Sequence, residues 1–344
     1  MKNRSIAAAL TFTFVIAFLP HAAFAWGYVG HTMINRLAAE TLPENLPAFV
    51  RTPDAIAEIS NLGPEEDRIK GAGRSWDDDN DPGHYLDIGD DGMVAGVVHL
   101  DALPRDMQAY GDALAKAGTN PYRMGYIPYT IMDGFERVRQ DFAIWRVDDY
   151  LSTHAATQAA RDEFAKDRAL REVLTLRDIG DWGHFVGDGS QPLHITVHFN
   201  GWGNYPNPNN YTTEHIHSPF ETAFVNASAK IADVRAAMPM VKLGIPDHLL
   251  SQDEIGTLVG GYLLETSKQV EPLYKLWAAQ AFQHGSPDAV KFTDAQLARG
   301  ASMLRQLIFL AYENSLYASF GYPEVPVRDI LSGKVVPTQA SLTP

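Results

Sequence analysis

The sequence predicts an all-α fold: one mostly helical domain with long loops. Three observations carry this. Apolar residues recur at three- and four-residue spacing over most of the chain, alternating strand patterns are scarce, and the two stretches that break the spacing are rich in Gly, Asp, Asn and Pro. No repeat and no clear linker divides the 344 residues, a length that is large for one domain but within reach of one.

The elements follow in chain order. Residues 1–25 read as a secretory signal: Lys2 and Arg4 precede the apolar "IAAALTFTFVIAF", and Ala23 and Ala25 flank a cleavage site before Trp26. The apolar run is short for a membrane anchor, and no later stretch is long and apolar enough to cross a bilayer. A secreted or periplasmic protein without a transmembrane segment is expected. The domain then runs over 26–322, with 323–344 as a surface tail.

Within it, "HTMINRLAAETL" (31–42) puts Met33, Leu37 and Ala38 on one stripe, which Pro43 ends. The stretch 103–118 has Pro104 near its start and Gly118 at its end. Residues 129–147 align Ile131, Phe135, Val138 and Phe142 on one face, and 156–188 reads as one or two helices. Residues 258–282 and 293–320 read as two long late helices. The loops are 71–92 and 199–214; sites tend to sit on such loops.

The net charge of −14 becomes −16 without Lys2 and Arg4, which excludes a broad basic footprint for duplex nucleic acid. Bound metal could still supply local positive charge. With no cysteine, neither disulfides nor thiolate zinc sites are available. Zinc on histidine and carboxylate stays open.

The densest chemistry lies in "DWGHFVGDGSQPLH" (181–194). His184 and Asp188, four apart, share a helix face; Gly189 to Pro192 ends the helix, and His194 follows from the turn. In "HIHSPFET", His217 and Glu221 are again four apart. One such pair is commonly an ordinary helix-surface contact. Two pairs and an intervening histidine favour a metal, and imidazole with carboxylate suits zinc. Cleavage after Ala25 would free the Trp26 amine, which with its own carbonyl can chelate a metal, and His31 sits one turn further on. Alone, Trp26 reads as a core aromatic.

In this order, "WGYVGH", "HYLD", "HFVGDGSQPLH" and "IHSPFET" resemble the zinc-dependent superfamily of single-strand nucleases (nuclease P-one type) and bacterial phospholipases C. The resemblance spans Trp26 to about residue 225 by motif, and implies a helical domain whose loops surround a cleft with three zinc ions. It assigns one ion to Asp67, His84, His184 and Asp188. A second takes the Trp26 amine and carbonyl with His31, bridged to the first by Asp188, and a third takes His194, His217 and Glu221. Asp67 comes from "GPEEDRIK" (63–70), because "SWDDD" (75–79), though similar to the family's Ser-Trp-Ala-Asp, sits too close to His84. Glu221 stands where the nucleases usually carry aspartate and is closer to the phospholipases; "WGYVGH" is closer to the nucleases.

The implied reaction is hydrolysis of a phosphodiester by metal-activated hydroxide. Asp67 would orient or deprotonate the water and Lys70 would neutralise developing charge; Lys70 read alone is a solvated surface lysine. Tyr85 and Asp87 would hold a base, by stacking and by hydrogen bonds to its edge, in a pocket that a paired base cannot enter. Trp202, Tyr205 and Tyr211 offer further rings, for stacking or for packing at the rim. His99, His154, His198, His215, His248 and His284 read as surface or satisfied histidines, His215 being the one rival to His217. "DDDNDPG" (77–83) fails as a calcium loop, since Pro82 takes the glycine position and Ile88 the last ligand position.

Three functions follow. The first is a secreted zinc nuclease, monomeric, releasing 5′-phosphorylated products from single-stranded DNA and RNA, with 3′-nucleotidase activity alongside. The second is a zinc phospholipase C acting on a phosphatidylcholine-type headgroup. The third is a non-enzymatic helical binding protein with structural metals.

Overall fold

The structure, a computed structural model, describes residues 26–70, 75–239, 244–321, 323–338 and 342; the expected signal segment lies outside the described residues. Fourteen helices are present among these: α1 Gly27–Glu40, α2 Pro53–Leu62, α3 Glu65–Ile69, α4 Ser75–Asn80, α5 Met107–Lys116, α6 Pro121–Met124, α7 Ile127–His154, α8 Gln158–Asp188, α9 Val225–Ser228, α10 Ile231–Ala237, α11 Gln252–Ser267, α12 Val270–Ala278, α13 Pro287–Asn314 and α14 Val327–Leu331. Among the described residues the named strands form two antiparallel pairs: β1 Met93–Val94 with β2 Val98–His99, and β3 Ser319–Phe320 with β4 Val325–Pro326. The fold is all-α, as the spacing predicts.

The frame is the long hairpin of α7 and α8. Thr157 closes it by accepting from Ala160 N, which caps the start of α8. The expected 156–188 segment is therefore one helix, and α7 starts close to the predicted 129–147 but runs well past its end, to His154. The stripe predicted for α7 is the one it buries: Ile131, Phe135, Val138 and Phe142 are fully or almost fully enclosed. Each such side chain contributes about 1.5–3 kcal/mol over leaving it exposed.

Helix α1 lies against α2, α8 and α13, burying Ile34, Leu37 and Ala38. Small residues on α8 let it come close. A Cβ at Gly183 would lie 2.2 Å from Asn35 Oδ1, and one at Gly180 would lie 2.5 Å from Leu62 Cβ. Asn35 itself donates to Ile59 O and Gly180 O, both at 2.9 Å, tying α1, α2 and α8 together. This approach brings His31 of α1 against the last turns of α8.

Two expectations need correction. The stretch 258–282 is not one helix: α11 ends at Ser267 and α12 begins at Val270. The start of α11 was marked by a capping box, Ser251 with Glu254, which apolar spacing alone passes over. The segment after Tyr322, expected as a surface tail, instead adds β4 and α14. These bury Val327 and Ile330 in a second core with Val147, Leu151 and Phe164 at the far end of the hairpin. No described helix is long and apolar enough to cross a membrane.

Candidate metal centre

The end of α8 carries His184 and Asp188 on its buried face. The chain leaves the helix at Gly189, and the 3-10 turn Pro192–His194 points His194 back to the same region. Glu221 comes from a single π-helical turn, Pro219–Phe224, with His217 just before it; such turns recur at functional sites. Asp67 lies on α3 and His84 ends the 3-10 turn Asp81–His84.

Three groups result, each with its ligand atoms within 4.8 Å of one another: Asp67, His84 and His184; His31, His184 and Asp188; His194, His217 and Glu221. All eight residues are buried. The first two groups share His184, whose ring stacks on His31 at 3.9 Å. Asp188 aims Oδ2 at His84 Nδ1 (2.9 Å) and at His184 Nε2 (3.3 Å), and Oδ1 at His31 Nε2 (3.3 Å). Asp67 is divided likewise, with Oδ1 3.8 Å from His184 Nε2 and Oδ2 4.0 Å from His31 Nε2. The choice of Asp67 over the "SWDDD" aspartates thus agrees with the geometry. In the third group His217 Nε2 lies 2.8 Å from Glu221 Oε2, and His194 Nε2 lies 3.7 Å from it.

Outer partners set the ring orientations. His184 Nδ1 donates to Gly63 O at 2.8 Å and His194 Nδ1 donates to His84 O at 2.7 Å, so both Nε2 lone pairs face the cluster. Gln191, fully buried, donates from Nε2 to Glu221 Oε2 at 3.0 Å while its Oε1 accepts from Leu193 N. It sits inside the motif, yet residue-type reasoning for ligands passes over an amide.

Several other atoms of these groups are left unpaired. Both ring nitrogens of His31, Asp188 Oδ1, His194 Nε2, His217 Nδ1 and Glu221 Oε1 are buried without a hydrogen-bond partner. Each such atom costs about 1–3 kcal/mol. A cation shared among imidazole nitrogens and carboxylate oxygens removes that cost, so the donor set fits a metal.

Electrostatics point the same way. Burial opposes charging His184, but Asp188 and Asp67 outweigh it and raise its pKa to about 9. Burial opposes ionising Asp188 too, yet His184 and His194 hold it well below the usual carboxylate range. Burial, then Lys70, lowers His84 to about 3. Glu221 falls to about 2, because His217 and His194 overcome its burial. One buried imidazolium among carboxylates is a stand-in for a metal cation.

Lys70 is mostly buried, with Nζ 3.0 Å from Asp67 Oδ1 and 3.9 Å from Asp81 Oδ1, which is not the solvated lysine of the bland reading. It lines a cleft of about 530 Å³ together with His84, Tyr126, Arg137, Arg177 and Trp182. Tyr85 and Asp87 do not line this cleft. They follow His84 on an extended segment that donates from Leu86 N to His194 O at 2.8 Å and from Asp87 N to Met124 O at 2.8 Å. Gly125, at φ 80°, lets the turn after α6 come close to this segment: a Cβ there would meet Tyr85 O at 2.1 Å. Burial raises the Asp87 carboxyl to about 7, and burial with Asp87 raises the Tyr85 phenol to about 12.

Trp26 has its indole buried, donating to Gly187 O at 2.9 Å and to Ser190 Oγ at 3.0 Å, beside Asp188 in sequence. Its backbone caps α1, with Trp26 O accepting from Gly30 N. The core-aromatic reading therefore holds for its side chain, whatever its backbone binds. Among the loop rings, Trp202 and Tyr211 are buried against Tyr274 and are packing groups, while Tyr205 is 46 % exposed. His215 is exposed, which leaves His217 as the inward histidine.

No family model, curated protein or solved structure matches this chain.

Proposed function

We propose that the protein is a zinc-dependent phosphodiesterase acting on single-stranded DNA and RNA. One observation supports this most: Asp188 divides its carboxylate between the buried imidazoles of His84 and His184 on one side and His31 on the other, and both ring nitrogens of His31 lack a hydrogen-bond partner. Zinc is the metal argued for, since the donors are imidazole and carboxylate with no thiolate. Three ions would be held by Asp67, His84, His184 and Asp188; by His31 and Asp188 with the Trp26 backbone; and by His194, His217 and Glu221. Once bound, such ions lower the pKa of water toward neutrality and offset phosphate charge.

The chain's own groups supply the rest. Lys70, held at 3.0 Å by Asp67, places a fixed positive charge at the edge of the cluster, where a phosphate oxygen would gain charge. Asp67 can accept a proton from an attacking water. Tyr85 offers a half-buried ring face to an unpaired base, and Asp87 can donate or accept at a base edge near neutral pH.

A second reading has one observation behind it. The cleft beside Lys70 sets six carboxylates, Asp81, Asp133 and Asp181 among them, against Lys70, Arg137 and Arg177, with Tyr122, Tyr126 and Trp182 in its walls. That lining suits a cationic, choline-type headgroup on the scissile phosphate. Assays of zinc-loaded protein on single-stranded DNA, duplex DNA and phosphatidylcholine, with and without EDTA, separate the readings. EDTA-sensitive cleavage of single strands in preference to duplex is expected. Lipid hydrolysis alone would replace the first reading by the second, and no turnover by fully loaded protein would refute both.

A further inference from the structure

The sequence leaves His198 as an ordinary satisfied histidine, but its surroundings give it a specific part. It is 2 % exposed and lies between two loops. Nε2 is 2.8 Å from Asp90 Oδ1, and Nδ1 is 2.9 Å from Trp202 O. Both contacts lie at hydrogen-bond distance, and the tautomer sets which nitrogen donates. The ring also lies flat on the Trp202 indole at 3.7 Å.

Each side of this connection is anchored. Trp202 N donates to Thr212 O and its Nε1 to Pro206 O, both at 2.8 Å, and Tyr274 OH donates to His198 O at 2.6 Å. Opposite, Leu86 N donates to His194 O and Val197 N to Ile88 O, so the segment bearing Tyr85, Asp87 and Asp90 runs alongside His198. The exposed ring over this junction is Tyr205, edge-on to His198 at 5.0 Å. Burial first, then Asp87 and Asp90, raise its phenol. The charged and titratable groups about the junction are Asp87, Asp90, Tyr205, Tyr211 and Tyr274, with Glu271 and Lys275 beside Tyr211.

We propose that Asp90, His198 and Trp202 form a clip that holds the exposed Tyr205 ring beside the segment that carries Tyr85 and Asp87. His198 is then a positioning residue that governs substrate binding and takes no part in bond breaking. The clip stands on geometry; its part in substrate binding rests on the functional reading above.

Asp90→Asn removes the charge from an exposed partner. Amide exchange over 199–206 should quicken about tenfold in Asp90→Asn, with the melting temperature nearly unchanged. On a single-stranded dinucleotide, Asp90→Asn and Tyr205→Ala should each raise KM about fivefold or more, with kcat within about twofold. Unchanged exchange in a folded Asp90→Asn overturns the clip. Faster exchange with unchanged KM overturns its role in binding. If the wild type hydrolyses no phosphoester, the functional reading falls, and the exchange still decides the clip.

Discussion

Asp188 Oδ1 lies 3.3 Å from His31 Nε2, while Oδ2 of the same carboxylate lies 2.9 Å from His84 Nδ1. One side chain at the end of α8 therefore joins a histidine from the first helix to one from a loop more than fifty residues later. Asp188→Asn keeps the shape and removes the shared anion. It should lower the metal content at both joined groups, whereas Glu221→Gln should empty only the third. Elemental analysis after exhaustive dialysis distinguishes the two variants.

Gln191 donates to Glu221 Oε2 at 3.0 Å, the same oxygen that faces His217 Nε2. Replacing it with Ala leaves every ligand in place but frees the carboxylate to rotate. Zinc affinity at the His194, His217 and Glu221 group should drop about 10–100-fold, with little change at the other two. Competition with a chromophoric chelator reads this directly.

In the metal-free protein His184 is raised from 6.5 to about 9. A group raised on folding contributes stability that is full below its unfolded pKa and is lost as pH climbs through the folded one. The contribution of His184 should thus fade between about pH 6.5 and 9. Metal must displace the same proton, so zinc binding should release protons below about pH 9 and gain affinity as pH rises toward it. Calorimetry in buffers of different ionisation enthalpy counts the protons. Release that persists unchanged well above pH 9 would contradict this assignment.

Asp87, raised to about 7 by burial, should change charge within the working range. KM for a single-stranded substrate should bend near pH 7, and Asp87→Asn should flatten the curve without altering zinc content. Tyr85→Ala should raise KM about 5- to 100-fold at constant metal loading, the scale of one lost stacking contact.

Gly183→Ala would push a Cβ to 2.2 Å from Asn35 Oδ1. Helix α1 must shift, at about 1–3 kcal/mol. His31 moves with it, so thermal stability and metal content should fall together.

Much of this was legible in the sequence because the determining patterns are local. The stripe Ile131, Phe135, Val138 and Phe142 marks α7 through its own spacing, and the pairs His184/Asp188 and His217/Glu221 announce their geometry by being four apart. What depended on distant packing was not legible. Nothing near Tyr322 signals that Val327 and Ile330 dock between α7 and α8. Trp202 and Tyr205 look alike as loop rings, and only Tyr274, from a helix some seventy residues on, decides which is buried. His198 gained its part from Asp90, more than a hundred residues earlier.

The central claim is tested most directly by zinc stoichiometry and phosphodiesterase activity, measured together on the same wild-type and His184→Ala preparations. About three zinc ions per active wild-type chain, with metal and activity lost together in a folded His184→Ala, is the predicted result. Full activity from wild-type protein free of transition metal, or from His184→Ala, would contradict it.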